Sequence, residues 1–350
     1  MNPRELLHRM VEIPSVSGDE RAVAEFLVES MNDMGFDAHI DSAGNAIGVI
    51  GDGPGEIVLL GHMDTVPGGP EVRIEDDILY GRGSVDAKGA LATFISAAAN
   101  AGADNQRIIV IGAVEEEIHT SKGARAIADE YRPDYCIIGE PSGWDAVTLG
   151  YKGRVVMEYS AEKPTAHPAA DETSVAEDTI HLWNGIQSYV AEFNEDTDGI
   201  FQRLQSRIPH MATSEPENTQ RMEARFTFRL PPSLEPEQLI EDLRNLPGAD
   251  GAITVKESVP AYAGDRRTPL HRAFMKGIRA EGSRPRFKVK TGTSDMNVVG
   301  PVWNCPILAY GPGDSGLDHT PNEHLDLNEY ERSIAVLTTV LHETAREERT

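Results

Sequence analysis

The 350-residue chain carries only two cysteines, Cys136 and Cys305, each alone in an apolar stretch and neither in a CxxC pair. That scarcity argues against a disulfide framework or a thiolate metal site and fits two reduced core thiols. Lysine is scarce as well, with eight residues, while Asp plus Glu number 57 and the formal net charge is −25. Such a charge argues against a nucleic-acid groove or an anionic membrane as partner. No apolar run approaches the roughly 18 residues of a membrane span. Met1 to Glu20 has no apolar core of a secretory signal, so a cytoplasmic protein is expected. Also missing are a G-x-S-x-G elbow and a G-x-G-x-x-G turn after a strand, which disfavours a serine hydrolase and a dinucleotide enzyme. No internal repeat or low-complexity tract is present.

What is abundant is scattered acid. Dispersed carboxylates with few lysines resemble the surfaces of halophile proteins, which stay soluble in strong salt; an ordinary acidic cytosolic enzyme is the alternative. A hydrophobic content of 39% fits a soluble globular protein, and the length allows two cores. Residues 3 to 35 read as an N-terminal helical region. Beyond it, strand-like runs ("IGVI", "EIVLL", "RIIVIGAV", "DYCIIGE") alternate with helical ones ("GALATFISAAANAG", "SKGARAIADEY"). Alternating β and α with continuous apolar strands predicts a mostly parallel sheet covered on both faces. From about Lys152 to Pro260 the pattern changes to alternating strands, "RVVMEYSAE" and "RMEARFTFRL", with two amphipathic helices. The expected fold is therefore an α/β domain (residues 1–151 and 261–350) with a smaller α+β insert (residues 152–260).

Functional groups of open α/β sheets gather beyond the carboxyl ends of the strands. In "VLLGHMDTVP", His62 and Asp64 follow a strand. Glu115, Glu116 and Glu117 follow "RIIVIGAV", Glu140 follows "DYCIIG", and His319 in "GLDHTPNEH" lies beyond "CPILAYG". Asp86 sits in the glycine-rich loop "GRGSVDAKG". Taken singly, each has a plain explanation: a surface histidine, a solvated charge run, a helix cap. Jointly they converge on one rim. That many carboxylates repel one another unless cations neutralise them. Two histidines and three carboxylates without thiolate suit a two-zinc or two-cobalt site.

The ordered motifs "GHMDTVP", "GRGSVDAKG", "EEEIHTSKGA", "IIGEPS" and "DHTPNEH" resemble the M20 family of di-zinc peptidases and deacylases over nearly the whole chain. The resemblance implies two divalent ions (Zn2+ or Co2+) roughly 3.5–4 Å apart. Asp86 would bridge them, His62 and Glu140 would bind one, and Glu117 and His319 the other. Asp64 would orient His62. Glu116 would be the general base, with a Glu115/Glu116 register as the competing assignment. The insert would be a lid and dimerisation domain. In it, His167 would reach across a homodimer to the oxyanion, and Asn218 and Arg229 would grip a substrate carboxylate. The "TGTSD" loop, Thr291 to Asp295, would line the pocket, with Thr293 binding substrate.

Within the family, "GAVEEE", "KTGTSDMN" and "YGPGDSGLDHTPNEHLDL" look like one branch. It releases lysine or ornithine from the γ-carboxyl of the C-terminal Glu of a small acidic LysW-type amino-group carrier protein, in lysine and arginine biosynthesis. An acetylornithine deacetylase or succinyl-diaminopimelate desuccinylase is the same-class alternative. A metal- or peptide-binding protein without catalysis is the alternative from another class.

Overall fold

A computed structural model describes residues 1–102, 106–167, 169 and 171–347. The chain divides into two compact units. One comprises Met1–Gly150, Gly264–Val289 and Ser294–Thr350, the other Tyr151–Ala263 and Lys290–Thr293. No described helix is long and apolar enough to cross a membrane.

The larger unit is built on a sheet whose centre is parallel. Gly55–His62 pairs in parallel with Gln106–Ala113 on one side and Tyr135–Gly139 on the other. Tyr135–Gly139 pairs in turn with Ile307–Ala309. These strands are buried along almost their whole length, which explains their unbroken apolar sequence. The flanks are antiparallel: Ala46–Ile50 lies against Gln106–Ala113 and carries Asp37–Ile40, while Ile307–Ala309 meets Ala146–Tyr151. Hence the α/β expectation holds at the centre, and the edges are mixed.

Helix Lys88–Ala101 buries nearly every residue, packed between the sheet and the closing helix Leu327–Glu347. A helix apolar all round must be enclosed in this way. The single N-terminal helical region expected over 3–35 is in fact two helices, Pro3–Glu12 and Arg21–Asp33. Pro14 disfavours helical geometry at Ile13, and Gly18 takes a φ of +92° in the break. That break brings Ser17 and Glu20 to the end of the Gly55–His62 strand.

The smaller unit is a four-stranded antiparallel sheet in the order Gln205–Ser214, Thr219–Leu230, Gly153–Pro164, Ala252–Val259. Strict alternation puts Val155, Met157, Phe226 and Phe228 on one face, where Leu182, Ile186, Leu239 and Leu243 of two helices cover them. Helix Val175–Phe193 starts at a capping box formed by Ser174 and Glu177. The strand Gln205–Ser214 is absent from the sequence-based expectation. It is an edge strand, polar and mostly exposed, and Pro209 breaks its pairing register.

One glycine couples the core of the larger unit to its rim. A Cβ on Gly311 would stand 2.6 Å from Ala90 Cβ and 2.8 Å from the Glu140 carbonyl oxygen. Both neighbours are rigid, so Gly311→Ala is expected to cost about 1–3 kcal/mol through overpacking. Urea denaturation measures this, and the same variant should bind divalent ions less tightly because Glu140 must move.

Candidate active site

The parallel register brings three strand ends side by side. His62 stands opposite Ala113, and Gly61 opposite Gly139, so the segments that continue from these strands emerge on one rim. The chain beyond the first strand supplies Asp64, beyond the second Glu115–Glu117, and beyond the third Glu140.

Asp64 is fully buried and takes four polar contacts. Its Oδ1 accepts from the Glu116 N–H at 3.1 Å, and its Oδ2 from the Glu117 N–H at 3.0 Å and the Ser17 hydroxyl at 2.7 Å. His62 Nδ1 lies 3.3 Å from Oδ1 and 3.0 Å from the Asp64 carbonyl oxygen. A carbonyl can only accept, so Nδ1 carries the proton and Nε2 of the neutral ring turns its lone pair to the cluster. Burial would raise the Asp64 pKa, but the bonds from His62, Ser17 and Glu117 outweigh it and hold it below the ordinary range.

Around His62 Nε2 stand Asp86 Oδ1 at 3.3 Å and Glu140 Oε1 at 4.0 Å. The other oxygen of Asp86, Oδ2, lies 3.0 Å from His319 Nε2, which is also 2.9 Å from Glu117 Oε1. Asp86 thus offers one oxygen to each histidine. Two donor groups, His62–Asp86–Glu117 and His62–Glu116–Glu140, each have their ligand atoms within 4.8 Å of one another. Imidazole and carboxylate donors this close have the chemistry to hold divalent cations, and neither group includes a thiolate.

Electrostatics agree with that fit. Burial, reinforced by Glu140, Asp295 and Glu117 against the pull of His62, drives the Glu116 pKa well above the carboxylate range. Hydrogen bonds to Asp86 and Glu117 push His319 up to about 10. Burial opposes a charged His62, but Asp64, Asp86 and Glu116 raise its pKa well above the ordinary value. Protons gather where positive charge is wanted, and divalent ions must displace them to bind. Glu115 turns elsewhere: it accepts from the Thr120 hydroxyl at 2.6 Å and lies 3.8 Å from the Lys122 ammonium.

Several supporting residues escaped the sequence reading. Glu323 is fully buried, accepts from the Val85 and Asp86 N–H groups at 3.0 and 3.2 Å, and pairs with Arg82. It ties the Asp86 loop to the His319 loop. Its signal was its place in "DHTPNEH", four residues after His319. Glu20 accepts from the N–H groups of Gly18 and Glu115, at 2.8 and 3.2 Å. Asp295, by contrast, closes the "TGTSD" loop expected to line the pocket; it is buried within the field of His62, Asp64 and Glu140, and burial pushes its carboxyl up to about 7.

The remaining candidates belong to the smaller unit. His167 is exposed, its Nδ1 accepting from the Ala169 N–H at 3.1 Å, which leaves Nε2 as the outward donor. Asn218 occupies a turn at φ +65°, and its carbonyl accepts from the Thr165 N–H at 2.8 Å. His167 and Asn218 therefore share one end of the sheet. Arg229 lies at the other end of the Thr219–Leu230 strand, its guanidinium 3.4 Å from the Thr293 hydroxyl. Eleven residues of extended chain separate Asn218 from Arg229, or about 35 Å.

The profile of peptidase family M20/M25/M40 matches residues 58–343. The chain is similar to the [LysW]-lysine hydrolase of Deinococcus radiodurans, 49% identical over 348 residues that cover 97% of this chain and 96% of that one. A putative [LysW]-lysine/[LysW]-ornithine hydrolase of Thermococcus kodakarensis is 45% identical, covering 97% and 91%. Among solved structures, the fold is similar to an M20 family metallo-carboxypeptidase from Sulfolobus solfataricus (TM-score 0.82, 18% identity, 99% of this chain and 100% of that one).

Asp64→Asn tests how the site is held. An amide has one acceptor oxygen and an NH2 group that cannot accept, so one of the Glu116 and Glu117 N–H groups loses its partner. The expected cost is about 1–3 kcal/mol for a buried polar group left unsatisfied. Urea denaturation reads the stability, and a titration with Co2+ should show weakened binding through displacement of Glu117.

Proposed function

The chain belongs to peptidase family M20/M25/M40 and is a hydrolase of amide bonds, and from that premise we propose that it releases lysine or ornithine from the γ-carboxyl of the C-terminal Glu of a LysW-type carrier protein. The substrate is supported by the relatives at 49% and 45% identity, a [LysW]-lysine hydrolase and a putative [LysW]-lysine/[LysW]-ornithine hydrolase. The observation that carries the chemistry is Asp86, with one oxygen directed at His62 and the other at His319.

In this reading His62 and Glu140 would hold one divalent ion and Glu117 and His319 the second, with Asp86 serving both. When bound, the ions supply Lewis acidity and a water of lowered pKa. Glu116 takes the proton of the attacking water at its carboxylate and hands it to the departing amine as the C–N bond breaks. Two features support Glu116 over Glu115 as base. Glu115 is spent on Thr120 and Lys122. Glu116 has no hydrogen-bond donor on its carboxylate among the described residues. Arg229 holds the α-carboxylate of the amino acid released, beside Thr293. We assign the larger unit to catalysis and the smaller to a lid, and the enzyme to the cytoplasm, consistent with two free cysteines. The dispersed acid excess supports a surface suited to strong salt.

A homodimer is part of the same proposal. A small substrate carboxylate cannot touch both ends of a strand that separates Asn218 from Arg229 by about 35 Å. If Arg229 serves the substrate of its own subunit, His167 and Asn218 serve that of a second copy. His167 would then donate from Nε2 to the oxyanion.

Glu116→Gln is expected to lower hydrolysis by about two to four orders of magnitude while keeping both metal equivalents, since a base acts on the water and does not hold the ions. A rate assay beside elemental analysis checks this, and loss of one equivalent would move the base to Glu115. Mixing inactive His167→Ala with inactive Glu116→Gln should restore part of the activity after subunit exchange. Exchange without recovery would show that His167 does not act across the dimer.

A further inference from the structure

The face of the four-stranded sheet turned away from its two helices breaks a pairing rule at one end. Like charges directly opposite on neighbouring strands destabilise a sheet. Yet Arg154 and Arg229 stand opposite each other on its two central strands. Phe228 and Leu230 turn into the helix-covered core, so Arg229 and its partner face the other way. Arg207 adds a third cation on that face, diagonal to Arg229, because it pairs with Thr227.

Elsewhere the face balances its charges. Arg225 and Lys256 share Glu158, and Arg221 pairs with Glu162. At the arginine end a single carboxylate, Glu257, lies 3.3 Å from Arg154. Arg207 and Arg229 have no carboxylate partner among the described residues. Burial and the proximity of Arg154 both disfavour charge on Arg229. In a chain of net charge −25, acid to neutralise this end was plentiful and is not placed there. A locally costly arrangement kept at one spot marks a ligand that repays it.

We propose that Arg154 and Arg207, on either side of the Arg229 that holds the amino acid's α-carboxylate, complete a row whose two flanking arginines bind an acidic polypeptide segment, the carrier side of the conjugate. One guanidinium suffices to grip one carboxylate in bidentate fashion. The row crosses three neighbouring strands and so spans about 10 Å, whereas same-side residues of an extended peptide lie about 7 Å apart. It therefore suits a chain presenting two or more carboxylates in succession. That the segment belongs to the substrate rests on the proposed function; that the row binds acidic chain rests on the register and the charge imbalance.

Two measurements on the full-length protein test it separately. In the first, fluorescein-labelled tetraglutamate is titrated by anisotropy against tetraglutamine, at low and moderate KCl. Tetraglutamate alone should bind, more weakly as salt rises, and Arg154→Gln or Arg207→Gln should each weaken it about tenfold. Arg207→Gln should keep the thermal midpoint, since it removes an unpaired surface cation. In the second, kcat/KM is measured on the LysW conjugate of lysine and on γ-glutamyl-lysine. The ratio of the two should fall about tenfold in either variant, through KM. Tetraglutamate binding that is absent, or equal in wild type and variants, overturns the row. So does an equal loss on both substrates, which would confine the arginines to the amide itself. If tetraglutamate binds through the arginines while neither amide is cleaved, the proposed function fails and the row stands.

Discussion

A carboxylate shut off from water, Asp64, sets where the charged groups of the larger unit stand. Isolating such a charge costs several kcal/mol unless hydrogen bonds and a counter-charge replace its hydration. Here the replacements are the functional elements themselves: the His62 ring, the N–H groups of Glu116 and Glu117, and the Ser17 hydroxyl. The imidazole tautomer and the path of the acidic loop are thereby fixed by one residue, the first through its carbonyl and the second through its carboxylate. Its role is wider than the orientation of His62 that the motif implied.

Around this anchor the site is assembled by matching loops in pairs. Glu323 and Arg82 bind the Asp86 loop to the His319 loop, and Glu20 joins the N-terminal break to Glu115. Apart from the Arg82 guanidinium, the donors in these links are backbone N–H groups, whose positions are set by the path of the chain. Rigid framing matters because like charges packed this closely spread apart unless the chain prevents it.

The strand-end residues were legible because a parallel centre admits few ways to order its strands, and their carboxyl ends must share a rim. The holding residues were not legible for the same reason that they work. Glu323 and Glu20 are ordinary acidic residues that accept from backbone amides, and backbone amides leave no mark in a sequence. The break between Pro3–Glu12 and Arg21–Asp33 was signalled by Pro14 and Gly18, but the apolar periodicity on either side masked it. The strand Gln205–Ser214 lacked the apolar alternation of its neighbours because its residues are exposed or half-buried on both faces.

The larger unit is interrupted between Gly150 and Gly264, and this order of segments has a consequence for biogenesis. Its central sheet is completed by Ile307–Ala309, which pairs with Tyr135–Gly139, and its second histidine is His319. A chain emerging from the ribosome therefore presents His62, Asp86 and the acidic loop long before their counterparts exist. The smaller unit has its own core and can fold in the interval, which shortens the loop that the late strand must close. Until that closure, Asp86 lacks the imidazole facing its second oxygen. The cluster of His62, Asp86, Glu117 and His319 is thus complete only once the chain has been made past residue 319.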